Sequence, residues 1–179
     1  MPKTKPENQP SKQDNMLSYL RWRGDLSLSV SPFCDVDNLI LAMDCYLNYD
    51  GVIPSSFDEE PIFLSEAVAG YKRKSEKEQN LGAVIPTDIR TLAQLTVSSA
   101  RFGETKVIGY RNIIDETIQI QFCALTYLLP DESIYVAFRG TDDTIVGWKE
   151  DFMLAFITPV PAQKQAVAYL NEVAHAFPD

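Results

Sequence analysis

The chain has 179 residues, a length that suits one domain with a single buried core. Lys and Arg total 16 against 25 acidic residues, a formal net charge of −9, which argues against nucleic acid or an anionic membrane as partner. No apolar run approaches the ~20 residues of a membrane span, and no signal peptide opens the chain, so the sequence predicts a cytoplasmic protein with no stable membrane anchor.

The cysteines favour free thiols. There are three of them, an odd number, and none stands in a CxxC pair, so a disulfide framework or a zinc site is disfavoured. We expect reduced and mostly buried side chains. They are Cys34, Cys45 and Cys123.

The first part of the chain divides into a tail, an extended arm and a helix. Residues 1–15 are rich in Pro, Lys and Gln, which predicts a disordered tail ahead of one domain over Met16–Asp179. Leu26–Val30 alternates like a brief strand or extended arm, and Asp35–Leu47 has the apolar stripe of a helix. The acidic residues of this helix invite a metal site, but Asp at a helix start is more often a cap, so we predict no metal and no cofactor. They are Asp35, Asp37 and Asp44.

Three more helices are predicted at Pro61–Tyr71, Thr87–Arg101 and Ala162–Phe177. The last of these is the clearest, with six apolar residues expected on its buried side. They are Ala166, Val167, Leu170, Val173, Ala174 and Phe177. The single histidine, His175, is expected at the C-terminus of this helix, where the helix dipole favours an imidazolium, and away from any catalytic centre.

The strands cluster in the middle of the chain. Lys106–Ile114 and Thr117–Leu128 are joined by two acidic residues, which predicts an antiparallel hairpin. Ser133–Phe138 is a further β-branched and aromatic run, typical of a buried strand. Together these segments predict an α/β fold with a small mixed sheet, an antiparallel hairpin and about four helices.

The end of the last strand carries the most informative motif, Phe138-Arg139-Gly140-Thr141. A strand that ends in a glycine turn places backbone N–H groups and a hydroxyl at the carboxyl edge of the sheet, where open α/β sheets bind ligands. Arg139 is expected to bind loop carboxylates such as Asp142 or Asp143. A helical or irregular amphipathic segment should follow at Ile145–Phe156.

This motif resembles the Phe-Arg-Gly-Thr/Ser signature of class 3 lipases in the α/β-hydrolase superfamily. A bacterial group of lipase-like proteins of unknown function is similar over most of Met16–Asp179, including Leu20-Arg21-Trp22-Arg23-Gly24-Asp25. The resemblance implies that Thr141 contributes to an oxyanion hole and that Asp151, about ten residues on, orients its hydroxyl. Trp148 stands between them as in the family, either packed beside the cleft or in contact with the acyl chain of the substrate.

The chain departs from that family in having no G-x-S-x-G nucleophile motif in its 179 residues. We therefore expect the front half of a serine ester hydrolase, which acts on a lipid or small acyl ester once Ser, Asp and His are supplied from outside these residues. The alternative is a non-catalytic remnant or binding module of the same fold. If no strand follows, Ser133–Phe138 becomes an open sheet edge, which favours a homo-oligomer.

Overall fold

The computed structural model describes residues 15–79, 88–115, 117, 120–139 and 160–178. These residues form five helices and one four-stranded sheet in three layers. The helices are α1 (Met16–Arg23), α2 (Asp35–Asp44), α3 (Leu64–Lys72), α4 (Ile89–Ser98) and α5 (Pro161–Ala176), and the strands are β1 (Ile62–Phe63), β2 (Lys106–Asp115), β3 (Ile120–Leu128) and β4 (Ile134–Arg139). Residues 1–14 of the predicted tail and the predicted segment Ile145–Phe156 lie outside the described residues. Asn15, the last residue of that tail, caps α1. None of the helices described has the length and apolarity to cross a membrane.

The sheet has the strand order β1-β2-β3-β4, and each neighbouring pair is antiparallel. The predicted hairpin is confirmed as β2 and β3, and the predicted third strand is confirmed one residue later, as Ile134–Arg139. A small mixed sheet was expected, but all three strand pairs of the sheet described are antiparallel. Short connections account for this in the pairs β2–β3 and β3–β4. Within the described residues β4 pairs only with β3.

A β-bulge interrupts β2 between Ile108 and Arg111, where the register against β3 shifts. Gly109 has a positive φ of 72°, a conformation that favours glycine. Its N–H donates to the Pro54 carbonyl at 2.8 Å. The bulge directs Tyr110 into the helical layer α1–α4 and Arg111 towards α5, where Arg111 forms an ion pair with Glu172.

Helices α1 to α4 cover one face of the sheet and enclose the larger core. The prediction of an extended arm at Leu26–Val30 is wrong, because this segment forms turns. The backbone carbonyl of Leu26 accepts a hydrogen bond from Arg101 Nη1 at 3.2 Å. The carbonyl of Ser31, just after this segment, accepts another from the same atom at 2.8 Å. A buried guanidinium therefore organises this connection.

Helix α5 covers the opposite face, mainly against β3. Its buried anchors are Tyr169 and Val173. Three residues predicted to be buried are exposed: Val167, Leu170 and Ala174. The buried stripe runs through positions 162, 166, 169, 173 and 177, which keeps the spacing of a helix face. The predicted stripe was too wide, and it left out Tyr169.

Candidate functional site

Thr141 and Asp151, predicted to form the oxyanion site, and Trp148, predicted to border the substrate, lie outside the described residues, and their roles stay predictions. Asp142 and Asp143, the carboxylates expected to bind Arg139, also lie outside the described residues. The structure describes the strand that leads into this segment and the groups around its last residue, Arg139. The candidate site is therefore built from the carboxyl end of β4.

Arg139 is held by a chain of polar side chains that crosses the sheet. Its Nη2 donates to Asn112 Oδ1 on β2 at 3.0 Å, and Asn112 Nδ2 donates to Asp50 Oδ2 at 3.2 Å. The guanidinium carbon lies 5.9 Å from the centre of the Tyr46 ring, within range of a cation–π contact. Among the described residues, Arg139 Nε is buried without a hydrogen-bond partner.

Two buried thiols lie on the same side of the sheet. Cys45 caps the end of α2, and Cys123 stands in β3 directly opposite Arg139 in the ladder. Their sulfur atoms are 4.0 Å apart. A hydrogen bond from Cys45 lowers the pKa of Cys123, helped by the positive charge of Arg139 and a hydrogen bond with Tyr110, although burial opposes this effect. The same hydrogen bond, with burial, raises the pKa of Cys45.

A buried carboxyl group adjoins this pair. Asp44 is the last residue of α2 and is 1% exposed. Its two oxygens accept hydrogen bonds from the hydroxyls of Tyr49 and Tyr127, each at 2.9 Å. Burial raises the pKa of Asp44 to about 6, and the two tyrosine hydrogen bonds only partly oppose that rise. Perturbed acids of this kind mark functional sites, although structural networks also produce them.

We use the name β4-end cluster for Arg139, Asn112, Cys45, Cys123 and Tyr110. It combines a cation at the strand end, a buried donor with no described partner and a thiol whose pKa is lowered. This chemistry suits the stabilisation of negative charge and reactions of a thiolate. No group of three His, Cys, Asp or Glu within the described ranges is arranged to hold a metal ion.

Asp37 has a structural role, whereas Asp35 is the first residue of α2 and the N-cap position before it is Cys34. Asp37 is fully buried and forms an ion pair with Arg101. One of its oxygens also accepts from the Cys34 N–H at 2.9 Å, which confirms a capping role at the start of α2. The prediction of mostly buried thiols is confirmed for Cys45 and Cys123, whereas Cys34 is exposed.

His175 lies in the last turn of α5, as the sequence predicts. It lines an open cleft together with Arg111 and Glu172. Because α5 covers the face of the sheet opposite to α2, the sheet separates His175 from the thiols of Cys45 and Cys123. These residues therefore do not form a Cys–His catalytic pair.

The sequence reasoning missed both Asp44 as a buried acid and the pairing of Cys45 with Cys123. A signal for the first was available, because Asp44 follows Ile40 by four residues and so shares its buried helix face. No local pattern links Cys45 to Cys123, which lie 78 residues apart.

These elements define the class of protein: a mixed α/β domain in which helices flank an open antiparallel sheet of four described strands. Residues 96–179, just under half of the chain, match the model of a family described as Mbeg1-like. The resemblance to class 3 lipases is wrong as a family assignment, because Mbeg1-like is a different family and no lipase family model matches. Neither the comparison with curated proteins nor that with solved structures found a match.

Proposed function

We propose that this chain supplies the oxyanion-stabilising loop of a serine ester hydrolase that acts on a lipid or small acyl ester. Thr141 donates to the oxyanion, Asp151 orients its hydroxyl, and Trp148 borders the substrate. The observation that supports the proposal is the position of β4, which ends at Arg139 and so leads directly into Gly140-Thr141. Donors at such a strand end, fixed before the reaction, lower the barrier to acyl transfer.

The β4-end cluster supports this role by fixing the strand end. Arg139 is bound to Asn112 at 3.0 Å, and its positive charge lies beside the start of the proposed loop. A cation there favours the negative charge that develops on a tetrahedral intermediate. The backbone of β4 is also paired with β3 up to Arg139, opposite Cys123, so the loop begins from a rigid point.

The proposal includes a finer architecture, in which a parallel strand beside β4 carries the nucleophile. Helix α5 follows β4 in the chain and packs on the face of the sheet against β3, as a crossover helix does before a parallel strand. The nucleophilic serine, its acid and its histidine base would come from outside these 179 residues, because no G-x-S-x-G motif stands within them.

The first experiment is the intact mass of the protein isolated from its own cell, followed by labelling with a fluorophosphonate probe. A mass clearly above 20.1 kDa together with a labelled serine supports the proposal. A protein of 20.1 kDa that neither labels nor hydrolyses p-nitrophenyl butyrate refutes it. That result would favour the alternative, a non-catalytic binding module, which also explains the missing nucleophile motif.

The role of Thr141 has its own test in the full-length protein. Thr141→Val removes the hydroxyl at nearly constant volume and should lower kcat for p-nitrophenyl butyrate by about 100-fold or more, with little change in KM. Thr141→Ser keeps the hydroxyl and should retain most of the activity. An unchanged kcat in Thr141→Val would rule out the hydroxyl as an oxyanion donor, even in an active hydrolase.

A further inference from the structure

The buried thiols of the β4-end cluster carry an inference that is independent of ester hydrolysis. Cys45 and Cys123 lie 78 residues apart in the chain, and their sulfur atoms are 4.0 Å apart in the core. We propose that this pair is a redox modification site: hydrogen peroxide oxidises the two thiols to an intramolecular disulfide, and a dithiol reductant restores them.

The backbone already holds the two cysteines in place for this bond. Cys123 belongs to a strand that is paired on both sides, with Asn112 of β2 and Arg139 of β4 as its direct neighbours. Cys45 is the C-cap of α2, and its N–H donates to the Leu41 carbonyl at 3.2 Å. The sulfurs must approach by about 2 Å to reach the length of a disulfide. Side-chain rotation and a small shift of the end of α2 can supply this movement.

Cys123 is the thiol suited to react first. Only a thiolate attacks a peroxide at a useful rate, and the hydrogen bond from Cys45 together with the charge of Arg139 lowers the pKa of Cys123. Arg139 Nε is buried and has no partner among the described residues. As a cross-strand neighbour of Cys123, Arg139 is placed to stabilise the oxygen that leaves.

The reaction proceeds in two balanced steps. The Cys123 thiolate attacks one peroxide oxygen, so that an S–O bond forms, the O–O bond breaks and hydroxide leaves to take up a proton as water. Cys45 then loses its proton and attacks the Cys123 sulfur, which forms the S–S bond and releases the second oxygen as water. Two thiols are oxidised and one peroxide is reduced to two waters.

The burial of the two thiols limits which oxidants can reach them. Cys45 and Cys123 are at most 1% exposed, so a small neutral peroxide reaches them through transient opening more readily than a bulky disulfide does. Cys34 is the contrasting case, because it is exposed. It can react with oxidants of any size without gaining an intramolecular partner.

The test treats the full-length protein with hydrogen peroxide in a Cys34→Ser background, which removes the exposed thiol. We expect a mass loss of about 2 Da, a Cys45–Cys123 cross-linked peptide after digestion, and recovery of both thiols with dithiothreitol. Because the bond closes a long loop, the thermal midpoint without reductant should rise by more than about 5 °C. Adding Cys45→Ser should abolish the link and leave Cys123 to oxidise to its sulfinic acid.

The peptide map of the Cys34→Ser protein decides the proposal even if the Cys45→Ser variant does not fold. The proposal is overturned if both thiols stay reduced under peroxide. It is also overturned if Cys123 reaches the sulfinic acid while Cys45 is present, because Cys45 would then fail to capture the first oxidised species.

Discussion

The buried carboxyl of Asp44 makes the stability of this protein depend on pH in an unusual direction. Its pKa is raised from 3.8 to about 6 by burial, and no cation is among the causes of the shift. A carboxyl group whose pKa is raised on folding binds its proton more tightly in the folded state. The free energy of unfolding therefore falls as the pH rises from 3.8 through about 6, and this contribution is constant at higher pH.

The perturbation that isolates this effect is Asp44→Asn. The amide oxygen can accept from Tyr49, and the amide nitrogen can donate to the oxygen of Tyr127, whose own hydroxyl can turn to the Leu41 carbonyl at 3.1 Å. The variant thus keeps the shape and the hydrogen bonds but buries no charge. A rise in the pKa of Asp44 from 3.8 to about 6 corresponds to about 3 kcal/mol at neutral pH, so Asp44→Asn should stabilise the protein by up to that amount.

The assay is urea unfolding of both proteins over a range of pH, with the free energy of unfolding extrapolated to water. The advantage of Asp44→Asn should shrink by about 2 kcal/mol between about pH 7.5 and about pH 4.5, whatever constant packing difference the amide introduces. Asp35→Asn is the matched control, since it removes one exposed charge from the same helix and should change stability by less than about 0.5 kcal/mol. A difference between Asp44→Asn and the natural protein that does not vary with pH would refute the reasoning.

Two further substitutions test the buried framework. Arg101→Lys should destabilise the protein by about 3–5 kcal/mol. The reason is that the N–H groups of Arg101 donate to Asp37 and to three backbone carbonyls of the turns between α1 and α2. A urea midpoint equal to that of the natural protein would contradict this. Gly109→Ala should cost more than about 2 kcal/mol, because a Cβ would lie 2.7 Å from Phe57 Cε1 while φ is positive. Gly51→Ala is its control, since φ is also positive there but the space is open; equal losses at the two glycines would show that the contact does not matter.

Local patterns predicted most of the elements. Helix α5 was expected at Ala162–Phe177 and is observed at Pro161–Ala176, because a proline start and an apolar stripe are signals contained in a few residues. The boundaries that failed are those set by distant partners. Helix α2 was expected to reach Leu47 but ends at Asp44, where tyrosines from other segments bind the carboxyl group.

The candidate site was predictable only in part. The strand that ends at Arg139 followed from its β-branched and aromatic residues. The partner of Arg139 did not, since Asn112 reaches it from a strand two positions away in the sheet. The family resemblance to class 3 lipases rested on a four-residue motif and its neighbours, and so short a match did not determine the family.

The sequence by itself determined most of the helices and strands of this chain, and it placed the Arg-Gly-Thr motif at the end of a strand, because those properties depend largely on neighbours a few residues apart. Only the tertiary structure decided that Cys45 meets Cys123 and that Asp44 is buried among hydroxyls. These contacts join residues up to 83 positions apart, and their chemistry depends on burial. Burial is a property of the packed layers, so no local pattern of residues records it.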